Sequence, residues 1–165
     1  SFGNVDSFTT PRGIFIRDTF AGGVVFYVDS TNLHGIVYAL TDQSAAIKWD
    51  NGTYINITGA TGSALGTGKA NTNAIITAQG IGDYAASLCR KYNGGGFNDW
   101  YLPSKIELHY MYDLIFSTTN NGYYWSSTQY ESHSAWCKYY NDLVGLYMDT
   151  YPKYTTMRVR AVRSF

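Results

Sequence analysis

Five side chains are the first candidates for acid–base or covalent chemistry: His34, His109 and His133, with Cys89 and Cys137. A Ser-His-Asp triad needs a histidine held between a hydroxyl and a carboxylate, and no spacing here brings that about. Gly-x-Ser-x-Gly is absent. His34 opens a strand-like run, His109 lies in a helical pattern and His133 in a polar loop, so each reads as surface or core filler. Neither cysteine belongs to a Cys-x-x-Cys pair or a zinc spacing, and His-Glu-x-x-His and the EF-hand loop are missing. Scattered Asp and Asn are compatible with a calcium ion, but no spacing demands one. One disulfide between Cys89 and Cys137 stays open, beside the plainer role of Cys89 as a small buried thiol. "GATGSALGTGKA" has the look of a phosphate loop. Counting back from Gly68-Lys69, however, Ser63 stands where the first glycine belongs and Ala70 replaces the magnesium-binding hydroxyl. The acceptor patterns Asn51–Gly52–Thr53 and Asn56–Ile57–Thr58 indicate only an exposed loop.

Recognition chemistry is better represented. Tyr123, Tyr124, Tyr130, Tyr139, Tyr140, Tyr147, Tyr151 and Tyr154 crowd the C-terminal part, with Ser132, His133, Ser134, Asn141, Asp142, Asp149 and Thr150 among them. Rigid amphipathic rings interspersed with short polar groups are the composition of an antibody paratope. The alternative is that these tyrosines are half-buried strand residues, which is the expectation for Tyr124 and Tyr140. Asp142–Thr156 does not read as a core strand, because Asp, Gly and Pro interrupt it.

The elements that must position this tract follow from periodicity. The chain has 165 residues, enough for one domain with a substantial core. The expected division is a polar lead-in over 1–12 and one domain over 13–165. Gly22–Asp29 and His34–Asp42 form a hairpin, and Lys48–Lys69, rich in Gly, Thr and Asn, is loop. "NTNAIITAQ" is a helix with an Asn/Thr cap, stopping at Gly80. In "GDYAASLCRKYN", Ala85, Leu88, Cys89 and Tyr92 make one apolar stripe, stopped by Gly94–Gly96. Ser104 and Glu107 after Pro103 match a capping box for a helix reaching Ile115, with Leu108, Met111 and Ile115 on one side. Tyr123–Tyr130, Ser134–Tyr140 and Met157–Ser164 are strands. Strands, then helices, then strands give an α+β class with an antiparallel sheet. Lys+Arg and Asp+Glu balance at 12 each, so no basic excess points to nucleic acid. No apolar run reaches the length of a membrane span. "SFGNVDSFTT" does not read as a signal peptide, and the missing initial Met points to a trimmed chain or a domain of a longer one.

"GGVVFYVD", "HGIVYALTDQS", "GTGKANTNAII", "AASLC", "GGGFNDWYLPSKIEL", "YYWSSTQY", "AW" and "VRAVRSF", in this order, resemble a bacterial and phage family. It is the one found at the C-terminus of the Legionella collagen-like adhesin, and the likeness runs from Gly22 to Phe165. The resemblance implies a C-type-lectin-like fold with small antiparallel sheets, two main helices and long loops. It also implies adhesion at a cell or virion surface. Some members are variable proteins of diversity-generating retroelements, in which copying of a template randomises adenines near the gene's 3′ end. Asn codons then become Tyr, Asp, His, Ser, Thr, Cys, Ile, Val, Gly and others. On that basis the region about 123–157 is variable. Tyr130, His133, Ser134, Cys137, Tyr139, Asp142, Val144, Tyr147, Asp149, Tyr151 and Tyr154 form its contact surface. Trp100, Trp125, Ser126, Trp136, Arg158 and Arg160 are the fixed scaffold. Met148, Pro152 and Met157 are not ordinary products of Asn codons. The expected partner is a protein or glycan on a target cell, without nucleic acid, membrane insertion or cofactor, and several copies would raise binding by avidity. The Glu-Pro-Asn type motif of calcium-dependent sugar-binding lectins is absent. The rival expectation is a fixed glycan- or glycosaminoglycan-binding adhesin domain, although sulfated ligands call for a basic patch. Arg158, Arg160 and Arg163 alternate along a strand and are expected to cover the sheet edge or pair with Asp rather than form that patch. The lectin-like fold also hosts formylglycine-generating enzymes, whose chemistry needs an accessible cysteine, so no enzymatic activity is expected.

Overall fold

The β-rich N-terminal runs pair as a hairpin, as expected. In the computed structural model, which describes residues 13–115, 122–141 and 145–165, β1 (Thr19–Phe20), β2 (Gly23–Val28) and β3 (Gly35–Ala39) form an antiparallel meander. The lead-in over 1–12 lies outside the described residues. β4 (Ser44–Ile47) follows, then a long loop, α1 (Gly68–Gln79), α2 (Ala85–Lys91), a 3₁₀ turn at Gly94–Gly96 and α3 (Lys105–Ile115). The C-terminal part supplies β5 (Tyr124–Gln129), β6 (Ser134–Asn141), β7 (Gly145–Pro152), β8 (Met157–Val159) and β9 (Val162–Ser164). The class is α+β, with a sheet of order β1-β2-β3-β9 and a second of order β4-β8-β5-β6-β7. This arrangement is compatible with a small lectin-like fold.

Three expectations change. The final strand is two strands: β8 pairs with β4 and β5, and β9 pairs with β3. The switch falls at Arg160 and Ala161, where the Ala161 N–H bonds the Gln43 side chain and the Ala161 carbonyl accepts the Ala39 N–H at 2.9 Å. The β5–β8 contact is parallel, so the second sheet is mixed. Finally, α1 starts earlier than its predicted cap. Asn71 and Thr72 lie inside it and clamp distant backbone. Asn71 Oδ1 accepts the Gly62 N–H at 3.1 Å, and Thr72 Oγ1 accepts the Leu102 N–H at 3.0 Å.

The α3 capping box is present. Glu107 Oε2 accepts the Ser104 N–H at 2.7 Å, and Ser104 Oγ accepts the Glu107 N–H at 3.3 Å. Glu107 is buried, and its other oxygen accepts the Gly66 N–H at 2.8 Å. One carboxylate therefore joins the start of α3 to the loop before α1. Gly68 has to be glycine for that approach, since a Cβ there would lie 2.7 Å from Ser104 N and 2.9 Å from Leu102 O.

Leu108, Met111 and Ile115 are buried as their stripe predicts, packed with Phe26, Ile36, Tyr112, Tyr124 and Val162. The other core cluster is built on Trp49, Trp100 and Trp125, all fully buried. Each indole N–H finds a carbonyl: Ser126 at 2.8 Å, Gly94 at 3.1 Å and Ile47 at 3.0 Å respectively. A buried Trp needs such a partner; the Trp49 bond ties the loop after β4 to β5, and the Trp100 bond ties the glycine turn to the segment before α3.

Candidate functional site: the β6–β7 face

The tract that looks aperiodic contains a regular strand. β7 runs antiparallel to β6 in unbroken register from Ser134↔Pro152 to Asn141↔Gly145, and it forms the sheet edge. Pro152 is at the strand's end, where a missing N–H is tolerated. Side chains alternate across a sheet, so the pairs Ala135↔Tyr151, Cys137↔Asp149 and Tyr139↔Tyr147 share one face. Trp136↔Thr150, Lys138↔Met148 and Tyr140↔Leu146 share the other.

The second face lies against α3. Lys138 is buried and ion-paired to Asp113, and its Nζ is 2.7 Å from His109 Nδ1. Burial lowers the Lys138 pKa while Asp113 opposes the shift. Trp136 lies under the Lys105 ammonium, 3.2 Å from the ring centre.

On the first face, Ala135 and Cys137 belong to the core. Beyond them comes a cluster of rings. Tyr139 stacks on Tyr123 at 4.3 Å and meets Tyr147 and Tyr151 edge-on at 5.9 and 6.1 Å. Tyr123 also meets Tyr151 edge-on at 5.4 Å. Tyr139 is only 8 % exposed beneath its neighbours, whereas Tyr147 is 46 % and Tyr123 39 % exposed. The hydrogen bond with Tyr123, with desolvation, raises the Tyr151 pKa. Asp149 lies between Tyr147 and Tyr151 along β7, and its negative charge helps raise the pKa of Tyr139 and Cys137.

The expected contact residues therefore separate. Tyr139, Tyr147, Asp149 and Tyr151 come together. Tyr130, His133 and Ser134 sit at the β5–β6 turn: Tyr130 lies edge-on to Trp136 at 5.7 Å, His133 stacks on Tyr54 at 5.6 Å, and Ser134 Oγ donates to Glu131 at 3.1 Å. Tyr154 is exposed in the β7–β8 connection. Asp142 and Val144 lie outside the described residues. Cys137 is a correction: it is fully buried against the core, and burial, with a smaller contribution from Asp149, raises its pKa to about 12. Both cysteines are free thiols. Tyr123 joins the site although it was not among the expected contacts. Its spacing of two from the inward Trp125 is the signal that places it on this face.

The residues expected to form the scaffold are held by packing and polar contacts. Trp100 and Trp125 are buried, and Ser126 Oγ donates to the Trp136 carbonyl at 2.7 Å. Asp42 takes Arg158 at 2.9 Å, Arg160 at 2.6 Å and the Tyr124 hydroxyl at 2.9 Å, and Arg163 pairs with Asp99. Each of the three arginines thus pairs with an aspartate, Arg158 and Arg160 sharing the single carboxylate of Asp42. Among the described residues no three His, Cys, Asp or Glu side chains gather as a metal site, and no helix is long and apolar enough to cross a membrane.

No curated protein matches this chain. The model of the Lcl C-terminal domain family matches residues 38–163, from β3 through β9 and including the whole β6–β7 face. That family is adhesin-like and ligand-binding in character. With more than half its length matched, this chain belongs to the Lcl C-terminal domain family, the C-terminal domain of the Legionella collagen-like protein.

Proposed function

We propose that this domain is a non-enzymatic receptor-recognition module of the variable-protein kind, diversified by a retroelement. Its contact surface is the β6–β7 face, and its ligand lies on a target cell. The observation that carries this reading is the convergence of Tyr139, Tyr147, Asp149 and Tyr151 on an edge strand pair. Main-chain bonds hold the register of that pair, so exposed side chains can change while the ladder stays. A buried position has no such freedom, and on this reading position 137 accepts only small residues. The non-enzymatic part is supported by the two buried cysteines, whose raised pKa keeps them as thiols at neutral pH. Nothing in this recognition calls for a metal.

Sequencing the 3′ end of the gene across a population tests the proposal. The expected result is substitution at positions 147, 149 and 151, confined to adenines of a nearby template repeat beside a reverse transcriptase. Positions 125 and 135 remain constant. An invariant tract without a repeat overturns it.

The family's adhesin character favours a second reading, a fixed glycan-binding surface. Pairing of Arg158, Arg160 and Arg163 with Asp42 and Asp99 weighs against a sulfated glycan there. Saturable heparin binding that survives substitution of Tyr147 and Tyr151 is the result that favours this second reading.

A further inference from the structure

The fold repeatedly sets a cation over an aromatic ring beside a carboxylate. Arg163 lies 3.7 Å from the centre of the Phe97 ring and pairs with Asp99. Arg160 lies 5.9 Å from Tyr38 and pairs with Asp42 at 2.6 Å. Lys138 lies 5.6 Å from Tyr112 and pairs with Asp113. Lys153 lies 4.4 Å from Trp49, within the field of Asp50. In each case the chain supplies its own cation.

The β6–β7 face has the first two components of this arrangement. Tyr123, Tyr139, Tyr147 and Tyr151 provide the rings, and Asp149 the carboxylate. Asp149 Oδ1 accepts the Thr150 N–H at 2.7 Å. Among the described residues no Lys or Arg pairs with Asp149 or lies over these four rings. The π-face of an aromatic ring is electron-rich, and a carboxylate adds full negative charge. The face is therefore complementary to a cation and unsuited to a sulfate or phosphate.

Resting on the reading of this face as the contact surface, we propose that it binds an arginine side chain of a partner protein. A guanidinium is planar, so it stacks on a tyrosine while its edge forks onto a carboxylate. A lysine ammonium is more strongly hydrated and makes neither arrangement as well. The exposed rings of Tyr147 and Tyr123 offer the stacking surface, and Asp149 offers the acceptor.

The test is a titration of the folded domain, followed by two-dimensional NMR, with acetyl-Gly-Arg-Gly-amide and with the same peptide carrying uncharged citrulline. The expected result is saturable shifts at Tyr147, Asp149 and Tyr151 with the arginine peptide and none with citrulline. Asp149→Asn should weaken binding by about fivefold. Tyr147→Phe should keep binding and Tyr147→Ser should lose it, each variant checked for the wild-type spectrum elsewhere. Absence of saturation overturns the proposal, as does equal binding of citrulline or an unchanged affinity in Asp149→Asn. A heparin disaccharide shifting these same resonances also overturns arginine as the ligand, but leaves the contact face standing. Whether that face is the diversified surface is decided separately by the population sequencing.

Discussion

Raising the pH should stabilise this protein through Lys153 before alkali unfolds it. Lys153 is 0 % exposed. Its ammonium donates to Gln129 Oε1 at 2.8 Å and to the Ile55 carbonyl at 3.2 Å, and lies 4.4 Å from the centre of the Trp49 ring. Desolvation outweighs the fields of Asp50 and Glu131 and lowers its pKa from 10.5 to about 8. The native state then releases this proton near pH 8, while the unfolded chain keeps it to about pH 10.4. Between those values the unfolded state binds more protons, so stability rises with pH, by up to about 1.4 kcal/mol per unit. Summed from about pH 7 to about pH 9.5, the gain is about 2 kcal/mol; below that range both states are charged and the contribution is flat. With a urea m-value of about 2 kcal/mol per molar, the unfolding midpoint moves up by about 1 M. Tryptophan fluorescence reads the transition, because Trp49, Trp100 and Trp125 all leave the core. Ionisation of unfolded cysteines acts in the opposite sense, since Cys89 and Cys137 stay protonated in the fold. Lys153→Met retains that effect and lacks the lysine, so the difference between the two proteins isolates the 2 kcal/mol. Stability curves that run parallel to within about 0.5 kcal/mol over this range would refute the argument.

Three further outcomes follow from the packing. Glu107→Gln turns one acceptor of the Ser104 and Gly66 N–H groups into a donor, and should cost about 2 kcal/mol after relief of desolvation. Thermal unfolding by circular dichroism should show a Tm lower by about 4–8 °C. Tyr147→Ser, on the exposed end of the face, should cost less than about 1 kcal/mol, whereas Cys137→Tyr should cost about 3 kcal/mol or more by overpacking, both read from urea unfolding. Cys89 and Cys137 should resist an aromatic disulfide reagent at neutral pH and react together on denaturation, because both are buried free thiols.

Local signals carried the sequence reading where an element depends on its own residues. The β2–β3 hairpin has strong β-rich runs, and the α3 capping box and the glycine after α1 are punctuation a few residues long. Elements defined by distant partners were less legible. β4, Ser-Ala-Ala-Ile, has little strand character and exists through pairing with β8 near the other end of the chain. The run Met157–Ser164 looks continuous because alternation does not record which sheet a strand joins, and the switch at Ala161 is set by Gln43 and Ala39. Cys137 misled for a related reason. β6 is covered on both faces, by the core and by α3, so its sequence lacks the polar/apolar alternation that distinguishes inward from outward residues. The Tyr-rich composition marked the region where the rings cluster, but only the β6–β7 register separated the exposed rings from the thiol two residues away.

That register also limits what the face can recognise. Along the face, the pair Ala135↔Tyr151 lies over core, Cys137↔Asp149 places a carboxylate beside a buried thiol, and Tyr139↔Tyr147 reaches solvent. The gradient from core to solvent therefore spans one strand pair over a few residues. Under the proposed reading, a contact surface of this extent suits a single inserted side chain and is small for an extended polymer. Tyr139, mostly buried under its neighbours, acts as a floor for the exposed rings, so replacing Tyr147 or Asp149 changes what is touched without removing the support beneath. Under the proposed reading, diversification at the outer positions then alters the chemistry of one anchoring contact, and affinity for a cell surface comes from many such contacts acting together.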